Sequence, residues 1–336
     1  MVPRDMVFGR ATSPSKPAAS ARPALWRIGV AFGLVYVGYG LNFLAVKIGV
    51  ESLPAFFFAA SHVFCAGVLL VIWQKLTRGP MSLTREGLQR AAVGAFFLFV
   101  GGVGLVTQGE KLGVASGVAA IIKASVPLWV AVLEAVRPNG ERVSRSMVGG
   151  LILGASGVVA LVVPKLAQSP TSSLGLGILF LVLSALLFAI GSIFVRHNPP
   201  SPSPVAGAAW MMILGGIFLM MAGFTTGEAH QIRPESINAQ SVGAFAFLLF
   251  IHSLAAFTAM NWLLSHLPAS VVTTKFFVSP AVALIAGSLV LGEKITFPVV
   301  VSLGLILVGV GAVLWGAARK KSEPPLKPDD AEDIET

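Results

Sequence analysis

The chain has 336 residues, of which 55% are hydrophobic and only 12% charged, with a formal net charge of +9. Soluble domains carry roughly 25% charged residues, so a mean hydropathy of +0.83 leaves too little polar surface for a water-soluble globule. A soluble enzyme, a disordered chain and a nucleic-acid binder are thereby excluded, and the lone Cys65 rules out an intrachain disulfide or a cysteine-based metal site.

Residues 1–25 form a basic Ser/Pro/Ala-rich tail and 318–336 a Pro- and acid-rich one, and both compositions predict disorder. Between them, a window of about 20 apolar residues finds ten segments. Spans 1 to 10 are predicted at 26–46, 55–74, 91–108, 113–134, 147–163, 174–194, 205–224, 241–264, 268–291 and 298–317. The runs are continuous, without the alternation of a barrel strand, and a helix satisfies its own backbone in lipid. The expected fold is therefore an all-α integral membrane bundle.

Seventeen of the 24 Lys and Arg residues fall in the tails, counting Arg27 at the mouth of span 1 with the first, and in the loops after even-numbered spans. Five lie on the opposite side: Lys47, Lys111, Lys165, Arg233 and Lys294. This bias predicts a multi-pass protein of the cell (inner) membrane with both termini cytoplasmic. The basic balance is topological, and no nucleic-acid partner is expected.

Gly140-Glu141-Arg142 ahead of span 5 recurs as Gly292-Glu293-Lys294 ahead of span 10. At the same offset of 152, Lys123 falls on Lys275, Leu151 on Leu303 and Gly157 on Gly309. Five spans per half is an odd number, so the second copy enters the membrane from the opposite side. The halves 26–163 and 174–317 are thus an inverted repeat, the arrangement by which carriers expose one central site alternately to two sides.

The stretch Leu267-Pro-Ala-Ser-Val-Val-Thr-Thr-Lys-Phe-Phe-Val-Ser-Pro280, the Leu-Gly-Glu293-Lys ending of span 9 and the opening Asn42-Phe-Leu-Ala-Val-Lys47-Ile-Gly resemble the EamA type of the drug/metabolite transporter superfamily. The resemblance implies a ten-helix carrier, often an exporter of amino acids or related metabolites, with a cavity between its halves.

Ionisable groups deep in a bilayer are costly and default to function. Lys123 lies near the middle of span 4, beyond the reach of snorkelling, and Lys275 is its repeat counterpart. Together they suit an anionic group such as a carboxylate. Tyr36, Tyr39 and Asn42, spaced by three, predict a polar-aromatic stripe on span 1. His62 and His252 complete the candidate substrate-binding set. Ser116, Ser125, Thr258 and Asn261 are expected to bond between helices, and Pro127 and Pro280 to loosen spans 4 and 9. Glu141 and Glu293 read either as helix caps or as gate residues.

All four aspartates lie in the tails and no carboxylate sits mid-span, so exchange or uniport without a central acidic relay is expected. No His-Glu-x-x-His, Gly-x-Ser-x-Gly or Walker motif supports a membrane enzyme, and no filter signature supports a channel. The expected function is a secondary carrier of small organic metabolites, amino acids or related carboxylates first, with amine, drug or sugar transport on the same fold as the alternative. The expected partners are that substrate and the bilayer, without a cofactor or metal; the sequence leaves monomer and homodimer open.

Overall fold

A computed structural model describes residues 24–78, 83–136, 145–168, 173–201, 203–267, 272 and 274–322, and among them every regular element is helical. Span 1 is two helices, Leu25–Gly40 and Asn42–Ser52, stepping at Leu41. Span 2 is Ala55–Arg78, and span 3 joins Arg85–Ala95, a π-helical Phe96–Gly104 and Leu105–Lys111. Span 4 is broken into Ser116–Lys123 and Val126–Val136, followed by span 5, Arg145–Gln168, span 6, Ser173–His197, and span 7, Pro204–Thr225. Span 8 runs through Ala239–Ala246, a π-helical Phe247–Ala256 and Phe257–His266. Span 9 is Lys275–Leu291 and span 10 is Phe297–Ser322. Among the described residues nine helical runs are long and apolar enough to cross a membrane, while Lys275–Leu291 is shorter.

Several expected boundaries move. Span 1 continues to Ser52 and span 3 begins at Arg85 and ends at Lys111, so Lys47, Glu51, Glu110 and Lys111 ride on helices instead of loops. A hydropathy window stops at the first charges, whereas the helix continues because the protein supplies partners. Lys47 Nζ donates to the Glu110 carbonyl at 2.7 Å, and Lys111 Nζ to the Val50 carbonyl. Pro127 does sit just after a break in span 4, but Pro280 lies inside a continuous helix. The triplet Gly140 to Arg142, the residues Pro268 to Val271 and most of both tails lie outside the described residues.

The packing has a pseudo-two-fold order. Spans 2 and 7, 4 and 9, and 5 and 10 pair as equivalents, while span 3 packs on span 6 as span 8 packs on span 1. The loops after spans 1, 3, 7 and 9 gather at one end, here the odd-loop end: Lys111 reaches Leu53, Glu228 reaches Phe56, and Glu293 reaches Ser116. Such a gathering follows from each span crossing the membrane once, so that loops alternate between the two sides.

Spans 5 and 10 cross through glycine. A β-carbon on Gly309 would come within 2.5 Å of the Gly154 nitrogen and 2.6 Å of the Gly150 carbonyl oxygen, and backbone cannot yield as a side-chain end can. Gly309→Ala is expected to cost about 1–3 kcal/mol by overpacking and to lower the detergent-phase melting temperature. Gly304→Ala, with open space around it, should not. Equal melting of the two variants would contradict this crossing.

Candidate functional site

A cavity of about 230 Å³ lies between the halves and takes walls from spans 1, 2, 3, 4, 6, 7, 8 and 9. Six of the seven expected residues line it: Tyr39, Asn42, His62, Lys123, His252 and Lys275. Tyr36 does not. Its hydroxyl pairs with Thr274 Oγ1 at 2.8 Å and its ring packs on Phe32. Three residues advance a helix by about 300°, which leaves Tyr36 some way round from Tyr39 and outside the cavity wall.

The two lysines reach the same cavity but differ in surroundings. Lys123 Nζ donates to the Ser184 hydroxyl at 3.1 Å and to the carbonyls of Gly102 and Ser184 at 3.3 Å, and lies 4.4 Å from the Phe188 ring centroid. It ties span 4 to spans 3 and 6. Lys275 Nζ stands over the Tyr39 ring at 4.0 Å and touches the thioether of Met260 at 2.9 Å, a weak acceptor. One turn on, Ser279 lines the cavity, and its buried Oγ has no hydrogen-bond partner among the described residues; i, i+4 spacing puts both on one helix face. Ser279 was missed by the sequence reading, although its place four residues after a candidate lysine was a usable signal.

His252 Nδ1 lies 3.1 Å from the Gly38 carbonyl and its ring meets Tyr39 edge-on at 5.0 Å. His62 Nδ1 lies 3.0 Å from the Phe58 carbonyl of its own helix. A ring nitrogen facing a carbonyl must donate, so each His turns its other nitrogen elsewhere. Span 1 approaches this wall because it is glycine-bearing: a β-carbon on Gly38 would strike Ala256, and one on Gly40 would strike Val282.

Asn261 and Ser125, expected as interhelical donors, bond instead to carbonyls of their own helices, Phe257 at 2.8 Å and Ile122 at 2.6 Å. Short side chains on a helix find the preceding turn before a neighbour. Of the span 7 methionines, Met212 lines the cavity and Met211 is buried, while Met220 and Met221 are exposed on the outer surface.

A second repeat signature appears only with the fold. The π-helical stretches of spans 3 and 8 occupy equivalent places, Phe96-Phe-Leu-Phe-Val100 matching Phe247-Leu-Leu-Phe-Ile251. Both border the cavity, and such stretches concentrate at functional sites. In span 3 the stretch presents the Gly102 carbonyl to Lys123 and to Ser184 Oγ, the latter at 3.0 Å.

Beyond Val46, Val106 and Thr107 the odd-loop end is held together by two glutamates. Gly292, at φ 66°, ends span 9 in the left-handed region, and Glu293 then turns onto span 4. It accepts from Ser116 N at 2.6 Å, Ser116 Oγ at 3.0 Å and Gly117 N at 3.1 Å. Glu228, in the loop after span 7, accepts from Phe56 N at 2.8 Å, Phe57 N at 3.3 Å and Gln108 Nε2. Burial raises the Glu228 carboxyl above the usual carboxylate range, against those hydrogen bonds and Lys111. Glu293 is thus a cap, a carboxylate from one repeat on the first turn of a helix of the other.

Known proteins resemble most of the chain. The uncharacterized inner membrane transporter YedA of Escherichia coli K12 is 28% identical over 308 residues, 91% of this chain and 96% of that one. A probable amino-acid metabolite efflux pump of the same organism is 22% identical over 300 residues, 88% of this chain and 97% of its own. A solved crystal structure shares the fold with a TM-score of 0.56 at 18% identity, covering 86% of this chain and 97% of the other. The EamA-like transporter family model matches twice, at residues 27–163 and 175–315, and the chain belongs to that family of membrane transporters.

Proposed function

We propose that this transporter is a secondary carrier of small metabolites bearing a carboxylate, amino acids first among them, and that it works by alternating access at the central cavity. The observation that carries this reading is Lys275 with Ser279: among the described residues, a cation without an oxygen acceptor one turn from an unpartnered hydroxyl, both in the wall of a cavity that also holds apolar and aromatic side chains. A carboxylate would complete both, and the apolar wall would take the rest of a small side chain. The relative named as an amino-acid metabolite efflux pump points the same way. The charge bias of the loops supports cytoplasmic termini, and the family resemblance supports export as the direction.

Counterflow in proteoliposomes tests this reading. Vesicles loaded with an unlabelled amino-acid mixture should accumulate labelled amino acid, and empty vesicles should not. Uptake indifferent to internal substrate would argue for a channel. Failure across amino and carboxylic acids, with counterflow of amines or sugars, would replace the substrate class.

A further inference from the structure

Glu110 lies at the odd-loop end of span 3, fully buried, and neither oxygen of its carboxylate has a hydrogen-bond partner among the described residues. Its backbone carbonyl holds Lys47 Nζ at 2.7 Å, which brings an ammonium next to the carboxylate without bonding it. The charges acting on Glu110 are Lys47 of span 1 and Glu293 of the loop before span 10. Lys111 on its own helix is turned to the Val50 and Leu53 carbonyls and feels Glu228, Glu51 and Lys47. Among the other packed elements, span 6 has Arg196 and His197 only at its far end, the π-helical stretch has no titratable group, and spans 2 and 4 have His62 and Lys123 deeper in, with Lys75, Arg78 and Glu134 toward their far ends. Among the described residues no group donates to this carboxylate, and such an ion buried bare is costly.

From this burial and this neighbourhood we infer that Glu110 is a proton-binding site whose neutral form locks the odd-loop end shut. Opening that end would admit water and let Lys47 pair with the ionised carboxylate. The proton leaves as the face opens and returns as it closes, and no other bond is made or broken. The closed state binds the extra proton, so closure is complete at acid pH and is lost as pH rises. Glu228, whose carboxyl burial also raises, would push in the same direction and must be separated from it. The inference rests on the alternating-access reading but needs no substrate for its test.

Val50 is buried near this end. A Cys65→Ala, Val50→Cys chain in detergent reports opening through its rate of labelling by a charged maleimide, corrected for thiolate content with a small cysteine peptide. The corrected rate should rise with pH, about tenfold per unit over its steep range for a single proton. Glu110→Gln, which mimics the neutral acid, should stay slow and flat from pH 5 to 9. Glu110→Asp should keep a pH-dependent rise, and Lys47→Gln should move it to higher pH. A flat profile in the parent chain overturns the inference. So does a rise that survives Glu110→Gln, and loss of the rise only in Glu228→Gln would assign the proton to Glu228. If Glu110→Gln does not fold, a flat Glu110→Asp profile overturns it equally. Each of these outcomes leaves the counterflow test standing, so the two readings fail separately.

Discussion

Lys275→Gln is expected to weaken carboxylate counterflow roughly 10- to 150-fold, the equivalent of one charge-assisted hydrogen bond of about 1.5–3 kcal/mol. Lys123→Gln should act differently. Lys275 stands against Tyr39 and Met260, so its donors are available to a substrate and the fold does not depend on them. Lys123 is held by Gly102 and Ser184, and truncating it leaves those acceptors and the Phe188 face without their cation. The expected result is a lower melting temperature in detergent, from a loss of about 1–3 kcal/mol. Ser279→Ala should weaken counterflow less than Lys275→Gln, because a neutral hydroxyl contributes less than an ammonium. Ligand-induced shifts in melting temperature, measured with the amino acid active in counterflow, separate the two lysines. A Lys275→Gln protein with wild-type shifts, or a Lys123→Gln protein that melts normally but has lost them, would reverse the assignment.

Glu293→Gln is expected to open the odd-loop end. Its two oxygens take three donors at the start of span 4, where the helix dipole favours negative charge. An amide keeps one acceptor and turns its own donors toward the others. Loss of charge-assisted bonds worth about 1.5–3 kcal/mol shifts a two-state equilibrium toward the open form by roughly 10- to 150-fold. Spin labels at Leu112 and Ile232, in the loops after spans 3 and 7, should show a longer distance population growing in Glu293→Gln. Glu51→Gln, at an exposed position outside these contacts, should leave the distribution unchanged. An unaltered distribution in Glu293→Gln would make that residue a cap without a part in gating.

The sign for Glu228 follows from its raised carboxyl. The closed face binds the proton more readily than an exposed glutamate does. Its contribution to closure is therefore present below the ordinary glutamate range and is lost as pH rises through the raised value.

The sequence by itself determined the helical membrane fold, the repeat and the pair of lysines. These rest on properties local to the chain: apolar runs long enough for a bilayer, charge asymmetry between loops, and short motifs repeated at a constant offset. The same locality set its limits. A hydropathy window ended span 1 before Lys47 because it weighs a charge without knowing that the Glu110 carbonyl lies within reach. Equal motifs made Lys123 and Lys275 equivalent, yet their partners come from spans 3 and 6 in one case and spans 1 and 8 in the other. Glu110 carried no sequence signal strong enough to single it out, being a glutamate at a span end, and Ser279 carried only its spacing of four from Lys275 in an apolar helix. Only the tertiary structure decided their standing, because whether a polar atom is satisfied depends on groups that folding brings from distant parts of the chain.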